Sequence, residues 1–171
     1  MIDGLKEKLE KAFPRAAIVV MPDTDYLVTV DKESVLSMLA YVKDSGFDHL
    51  ALVSCVDWMD EREFELVYVL SSYMKDNEQV NGNEKLNLIL KTRISRDNPA
   101  FQTVTHIFEN AEPYERELHE LFGVYFEGHK RLVPLFLERT YDIPPFRKDF
   151  DTRQYVKKIF DNIPTIQDTK E

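Results

Sequence analysis

Two stretches of alternating side chains constrain the fold of this chain more than any other feature. Apolar residues recur at every second position over residues 64–70, and again over residues 86–94, where Thr92 takes one place in the series. The polar side of the second stretch is broken only by Ile89. Alternation with a period of two is typical of β-strands with one covered face. The triplet Asn81-Gly82-Asn83 between the two stretches indicates a chain reversal, so neighbouring antiparallel strands are predicted.

Capping residues, turn signals and apolar runs predict the elements before these strands. Asp3 and Asp31 each stand where a helix can be capped, and the turn signal at residues 22–25 indicates a hairpin. A near-continuous apolar run further along predicts a strand that is covered on both faces. The predicted elements are a helix at 4–13, hairpin strands at 16–21 and 26–30, a helix at 32–42 and a strand at 49–56.

A third helix is predicted after residue 96. Asp97 or Asn98 can cap it, and Pro99 suits its first turn. Its apolar stripe at helical spacing would consist of Phe101, Val104, Ile107 and Phe108. Helices that follow and precede strands in this order predict an α+β fold, in which a mostly antiparallel sheet has its helices packed on one face.

Residues 112–129 begin with a further predicted helix that has a clear start and end. Pro113 suits the first turn, where its missing N–H costs nothing, and Gly123 suits the left-handed position after the last turn. The apolar stripe would consist of Tyr114, Leu118, Leu121 and Phe122, and the opposite, charged face of Glu112, Arg116 and Glu120. Glu115 and Glu117 fall at the two edges of the stripe, where packing would partly desolvate them. The residues alone favour an amphipathic helix with a solvated charged face.

The segment after this helix differs in charge from what precedes it. Residues 1–127 carry 13 Lys and Arg against 24 Asp and Glu, whereas residues 128–158 carry eight against four. Prolines at positions 134, 144 and 145 exclude a long helix or a central strand there. We therefore predict an α+β domain over 1–127, an extended basic arm over 128–158 and a tail over 159–171.

Composition argues against several classes of function. The net charge of −9 disfavours non-specific binding of nucleic acid. No apolar run approaches the roughly 20 residues of a membrane span, and the N-terminus lacks the apolar stretch of a signal peptide. A cytosolic or cytosol-facing protein is therefore expected. The single cysteine, Cys55, excludes an internal disulfide and an iron–sulfur cluster ligated by this chain alone.

The sequence does not favour a catalytic or metal site either. The metal-ligating candidates are Glu117, His119, Glu120 and His129. Their spacing is poor, because positions two apart on a helix diverge by about 160°. We find no glycine-rich phosphate loop and no nucleophile elbow. We therefore expect neither a metal centre nor catalytic residues in this chain.

Several ordered motifs resemble those of a known family. The runs Glu115-Arg116-Glu117, Glu120-Leu121-Phe122-Gly123 and Gly128-His129 resemble the signature of the 30 kDa subunit of respiratory complex I. The same family supplies the equivalent subunit of membrane-bound, energy-converting nickel–iron hydrogenases. Arg147-Lys148-Asp149-Phe150 resembles its second motif, and Val56-Asp57-Trp58 with residues 64–68 resembles its paired strands. The resemblance covers roughly residues 50–150.

This resemblance implies a scaffold subunit without a prosthetic group, peripheral on the cytoplasmic side of a membrane complex. It would dock on the large subunit that resembles the nickel–iron hydrogenase large chain and on the iron–sulfur small subunit, and would reach the membrane arm only indirectly. Iron–sulfur clusters, and nickel–iron in hydrogenases, would belong to these partners of a hetero-oligomer. The positions carried over are Glu115, Arg116, Glu117, Glu120, Gly123, His129, Arg147, Lys148, Asp149 and Phe150. Their expected roles are a subunit interface, an ion-pair network that fastens the arm to the fold, or both.

The type of complex is harder to predict. Lys130-Arg131 follows His129 directly, and Ile143-Pro144-Pro145 precedes the second motif. After the His that corresponds to His129, quinone-reducing members of the family usually carry a paired Arg before an apolar run. Before the second motif, they usually carry Gly-His-Pro. These departures favour an energy-converting hydrogenase or a related ferredoxin-linked complex. An NADH- or ferredoxin-linked quinone oxidoreductase, a transient assembly factor for the large subunit and a free-standing metal-dependent enzyme stay as alternatives.

Overall fold

The computed structural model describes residues 2–21, 26–73, 85–138 and 141–159. Its helices are α1 (Ile2–Ala12), α2 (Val35–Asp44), α3 (Ala111–Phe122) and α4 (Thr152–Ile159), and a short 3₁₀ turn, Lys32–Ser34, leads into α2. Its strands are β1 (Ala17–Val20), β2 (Tyr26–Thr29), β3 (His49–Trp58), β4 (Glu63–Tyr73), β5 (Lys85–Ser95), β6 (Ala100–Gln102) and β7 (Tyr125–Glu127). No described helix is long and apolar enough to cross a membrane.

Five strands form one mostly antiparallel sheet in the order β1-β2-β5-β4-β3. The two alternating stretches are β4 and β5, which pair antiparallel along their whole length, and the predicted hairpin is the antiparallel pair β1 and β2. Among the described strands of this sheet, β2 and β5 form the one parallel pair. The turn signals at residues 22–25 and 81–83 lie outside the described residues.

One face of this sheet is buried under helices. Register aligns Tyr26, Leu88, Leu70 and Leu50 in a row across four strands, and each is at most 1% exposed. Helices α1, α2 and α3 add Leu9, Met38 and Leu118 to the same core. The predicted α+β fold, a mostly antiparallel sheet with helices on one face, is confirmed.

The opposite face carries a second apolar row that no described helix covers. Register places Val19, Leu27, Ile89, Val69 and Leu52 side by side across all five strands. Ile89, the break in the polar pattern of β5, belongs to this row. The prediction that β3 is covered on both faces is wrong, because β3 is an edge strand and Leu52 is 44% exposed. A continuous apolar run cannot distinguish a doubly covered strand from one that contributes to an open apolar row.

The predicted third helix is also wrong. Residues 100–102 form β6, which pairs in parallel with β7, and turns lead from there to α3. Phe101, Val104 and Phe108 are buried as their spacing suggested, but by a strand and turns. Pairing with β7 supplies the backbone hydrogen bonds that a helix would have made, including Tyr125 N–H to the Pro99 carbonyl at 2.7 Å.

The starts of the first two helices differ from the prediction. Asp3 lies inside α1, because that helix already begins at Ile2. Asp31 precedes a 3₁₀ turn and makes no side-chain capping bond.

Residues 128–138 and 141–151 contain neither helix nor strand, and the segment then ends in α4 rather than staying extended. The rings of Tyr141, Phe150 and Tyr155 pack together and hold α4 to the preceding residues. The boundaries of domain, arm and tail stay a prediction.

Candidate subunit interface

Helix α3 has the ends that its sequence predicts. It runs from Ala111 to Phe122, and Gly123 follows in the left-handed conformation with φ of 76°. Leu118 and Leu121 are buried, while Tyr114 and Phe122 are half-buried against the core. The amphipathic helix is therefore confirmed, but its charged residues are arranged differently from the expectation.

Glu115 is fully buried rather than placed at the edge of the apolar stripe. The Thr103 hydroxyl donates to its Oε2 at 2.6 Å and the Val104 amide to its Oε1 at 2.7 Å. Burial raises the pKa of Glu115 to about 7, although both hydrogen bonds act to lower it. Glu115 thus fastens α3 to the turn that follows β6, and it faces the interior of the chain.

The charged face of α3 is covered by the chain's own C-terminal segment, so the expectation of a solvated face is wrong. Arg116 donates from Nε to the Val133 carbonyl and from Nη2 to the Pro134 carbonyl, both at 3.0 Å. Its Nη1 lies 3.5 Å from Glu112. Amphipathic spacing identified the polar face but could not show that a later segment binds to it.

Glu120 holds the next three residues of this segment. Its carboxylate accepts the amides of Leu135 and Phe136 at 3.0 Å and also that of Leu137. Burial alone would raise the pKa of Glu120, but these amides outweigh it and hold the pKa below its usual value. Arg116 and Glu120 together bind the backbone of residues 133–137, which we call the clamped segment.

Because Arg116 and Glu120 bind the backbone of the clamped segment, some apolar side chains of this region stay exposed to solvent. Phe136 in the clamped segment is 67% exposed, and Phe146 further along is 59% exposed. Val133 and Ile143 are also exposed. Apolar groups held outward by fixed backbone are typical of protein–protein contact sites.

His129 ties the start of the arm to α3. Its Nδ1 accepts the Arg131 amide at 3.1 Å, which leaves Nε2 to donate to the Glu112 carbonyl at 3.3 Å. His119 likewise bonds through Nδ1 to the Val124 carbonyl at 2.9 Å. Each imidazole is therefore engaged with backbone, and the described residues contain no group of three potential metal ligands.

Arg147 closes the C-terminal end of α3. Its Nε donates to the Phe122 carbonyl at 2.7 Å, and its guanidinium lies over the Phe64 ring, 5.1 Å from the centroid. A Cβ on Gly123 would lie 2.9 Å from Arg147 Nη2 and 3.0 Å from Pro144 Cγ. Position 123 therefore requires glycine for two reasons, its left-handed backbone and the space that the guanidinium occupies.

The rest of the second motif is held by a buried ion-pair network. The Asp57 carboxylate accepts Arg96 Nε at 2.8 Å and Nη2 at 3.2 Å, and also the Lys148 amide at 2.9 Å. Arg96 Nη2 also bonds to Asp149 at 2.6 Å. Burial alone would raise the pKa of Asp57, but these partners outweigh it and hold the pKa below its usual 3.8. The network joins the ends of β3 and β5 to residues 148–149.

Most of the predicted site residues thus make contacts within the chain. Two of these side chains, those of Lys148 and Glu117, make no such contact among the described residues. Lys148 is exposed and bonds only through its backbone amide, and half-buried Glu117 makes no hydrogen bond or ion pair with the described ranges. Sequence reasoning missed Arg96 and Thr103. Arg96 bonds to the carboxylate of Asp57 and Thr103 to that of Glu115, both of which belong to the motifs. Neither residue stands at a sequence spacing that would link it to its carboxylate.

Comparison with known proteins agrees with the resemblance. The model of the family described as "Respiratory-chain NADH dehydrogenase, 30 Kd subunit" matches residues 28–156. A subunit of the F420H2 dehydrogenase of Methanosarcina mazei is 38% identical over 124 residues, covering 71% of this chain and 73% of that protein. A subunit of the NADH-quinone oxidoreductase of Agrobacterium fabrum is 28% identical over 156 residues, covering 87% and 73%.

A solved structure agrees over nearly the whole chain. A chain of the membrane-bound sulfane sulfur reductase, described as an archaeal respiratory membrane complex, superposes with a TM-score of 0.82 at 30% identity. The superposition covers 98% of this chain and 96% of that one. This chain therefore belongs to the family of the 30 kDa subunit of respiratory-chain NADH dehydrogenase, whose members are subunits of complex I-related oxidoreductase complexes.

Proposed function

We propose that this chain is a scaffold subunit of a complex I-related membrane complex, and that it carries out no redox chemistry itself. The observation that supports this most is the clamped segment. Arg116 and Glu120 bind its backbone, and the side chains of Val133 and above all Phe136 stay exposed. Such a segment suits docking on another protein, because its conformation is fixed before binding and little entropy is lost.

The partners that we propose follow from the resemblance. They are the large subunit that resembles the nickel–iron hydrogenase large chain and the small subunit with the iron–sulfur cluster. Residues 128–158 carry a net charge of +4, which suits an acidic docking surface. Iron–sulfur clusters, and nickel–iron if the complex is a hydrogenase, would reside in these partners, and the assembly would lie on the cytoplasmic side of the membrane.

Two kinds of complex are candidates. Lys130-Arg131 and residues 143–145 depart from the pattern of quinone-reducing members, which favours an energy-converting hydrogenase. The relatives at 38% and 30% identity are named F420H2 dehydrogenase and sulfane sulfur reductase, which favours a non-hydrogenase complex of the same family. A nickel-binding cysteine pair in the cognate large subunit would indicate the first, and its absence the second.

Affinity purification of the tagged chain from native membranes tests the scaffold role. We expect the large and small subunits to be recovered with it, at one copy of each. Recovery of the chain alone would contradict the proposal. Absence of the chain from the mature complex would indicate a transient assembly factor, and stoichiometric metal in the isolated chain would indicate a metal-dependent enzyme.

A further inference from the structure

Glu117 lies on α3 between two contacts that this helix makes with other parts of the described chain. Three residues before it, the Tyr114 hydroxyl donates to the Ala51 carbonyl of edge strand β3 at 2.9 Å. Three residues after it, Glu120 holds the clamped segment. Steps of three residues move about 60° around a helix, so Glu117 lies between these two contacts. We call the line of Tyr114, Glu117 and Glu120 the α3 strip.

One border of the α3 strip is apolar and exposed. Phe136 in the clamped segment, whose amide is bonded to Glu120, is 67% exposed. Glu117 is half-buried and has no hydrogen bond or ion pair within the described part of the chain. A carboxylate that is partly removed from water without a partner is unfavourable.

The charged neighbours of Glu117 on α3 are already engaged. Arg116 points to the Val133 and Pro134 carbonyls, and Glu120 is occupied by three amides. Arg116 also lies about 100° around the helix from Glu117. The α3 strip therefore combines an unpaired negative charge with an exposed apolar neighbour, Phe136, and the complementary chemistry is a cation on an otherwise apolar surface.

We propose that the α3 strip is a docking site for a basic side chain of the large subunit, which pairs with Glu117 while an apolar neighbour of that side chain contacts Phe136. The inference rests on the proposed function, because it assigns a partner contact to the same scaffold. Arginine fits best, since its planar guanidinium can bond to both oxygens of a carboxylate. Lysine would supply the same charge with one point contact.

Binding measurements with the full-length chain and the purified cognate large and small subunits test this site. Glu117→Gln keeps the shape of the side chain and removes its charge. We expect its Kd to rise at least about tenfold and to depend less on salt, because a charge pair in the interface is lost. Its Tm should equal that of the wild type, since no internal partner is lost. The matched control is Glu109→Gln, an exposed glutamate in the turn before α3, which should bind as the wild type does.

The outcomes separate this inference from the proposed function. If the wild-type chain fails to bind the two subunits, the scaffold role itself is refuted. If it binds and Glu117→Gln binds equally well, the scaffold role stands and the α3 strip is not a charge-pairing site. A clear loss of Tm in Glu117→Gln would also overturn the inference, because it would reveal an internal partner. Glu117→Arg should abolish binding while leaving Tm unchanged, and binding by this variant would overturn the inference too.

Discussion

Replacing Asp57 by alanine should destabilise the chain more than any other single change in the ion-pair network. The carboxylate is only 2% exposed and accepts two bonds from Arg96 and one from the Lys148 amide. Breaking a buried ion pair by removing one partner costs on the order of 3–5 kcal/mol. Arg96 would keep its bond to Asp149, so we expect the lower end, a loss of about 3 kcal/mol in the free energy of unfolding.

Urea and thermal denaturation of the isolated chain measure this loss. For a chain of this length, about 3 kcal/mol corresponds to a fall in Tm of about 6–12 °C. Asp60→Ala is the matched control, since Asp60 is exposed in the turn after β3 and should change stability by less than about 0.5 kcal/mol. If Asp57→Ala were as stable as Asp60→Ala, the network would not hold the second motif to the sheet.

The pH dependence of stability gives an independent check on Asp57. Its pKa is lower in the folded chain than in the unfolded chain, so its contribution is present above the usual pKa of 3.8. The contribution is lost as the pH falls below that value, because the proton that then binds breaks the pair with Arg96. Asp57→Ala should therefore lose less stability than the wild type on acidification below pH 3.8.

Three further substitutions, the first of them with a control, test the other contacts. Gly123→Ala should lower the free energy of unfolding by about 1–2 kcal/mol because of the left-handed backbone at this position, and by more because its Cβ would clash with Arg147. Gly4→Ala is the control: no described atom outside its neighbours lies within 4 Å of its Cβ, so it should stabilise α1 by about 0.5–1 kcal/mol. Denaturation measures both changes. Glu120→Gln should loosen the clamped segment and speed chymotryptic cleavage after Phe136, and an unchanged cleavage rate would contradict the clamp. The raised pKa of Glu115 predicts that wild-type stability falls as the pH rises from about 4.5 to about 7, because over this range the carboxyl ionises in the unfolded chain but stays protonated in the folded chain. Glu115→Gln should lack this decline, and an identical pH profile for both proteins would refute the assignment.

The central sheet was predictable because its signals are local. Alternation over residues 64–70 and 86–94 depends only on which face is covered, and both strands are present as expected. Gly123 was predictable for a similar reason, since the left-handed residue after a helix is a local requirement. The prediction for the β6 region was wrong because its apolar spacing also fits a helix. The structure there is decided by pairing with β7, which lies more than 20 residues away in sequence.

The candidate site was predictable in its residues but not in its contacts. The motifs contain Arg116, Glu120 and Arg147, yet nothing in their spacing shows that they bind backbone carbonyls and amides of the same chain. Backbone partners leave no trace in the sequence, because every residue has an amide or a carbonyl to offer. Arg96 was missed for a related reason, since it meets Asp57 only through the pairing of strands that are distant in sequence.

Hydrogen exchange of the isolated chain tests the central claim most directly, namely that the arm is bound to the fold before any partner is present. The amides of residues 135–137 are bonded to Glu120, and the Lys148 amide is bonded to Asp57. We expect these four amides to exchange much more slowly than those of an unstructured segment. Exchange of all four at unstructured rates in the folded chain would contradict the account, since the arm would then become ordered only on docking.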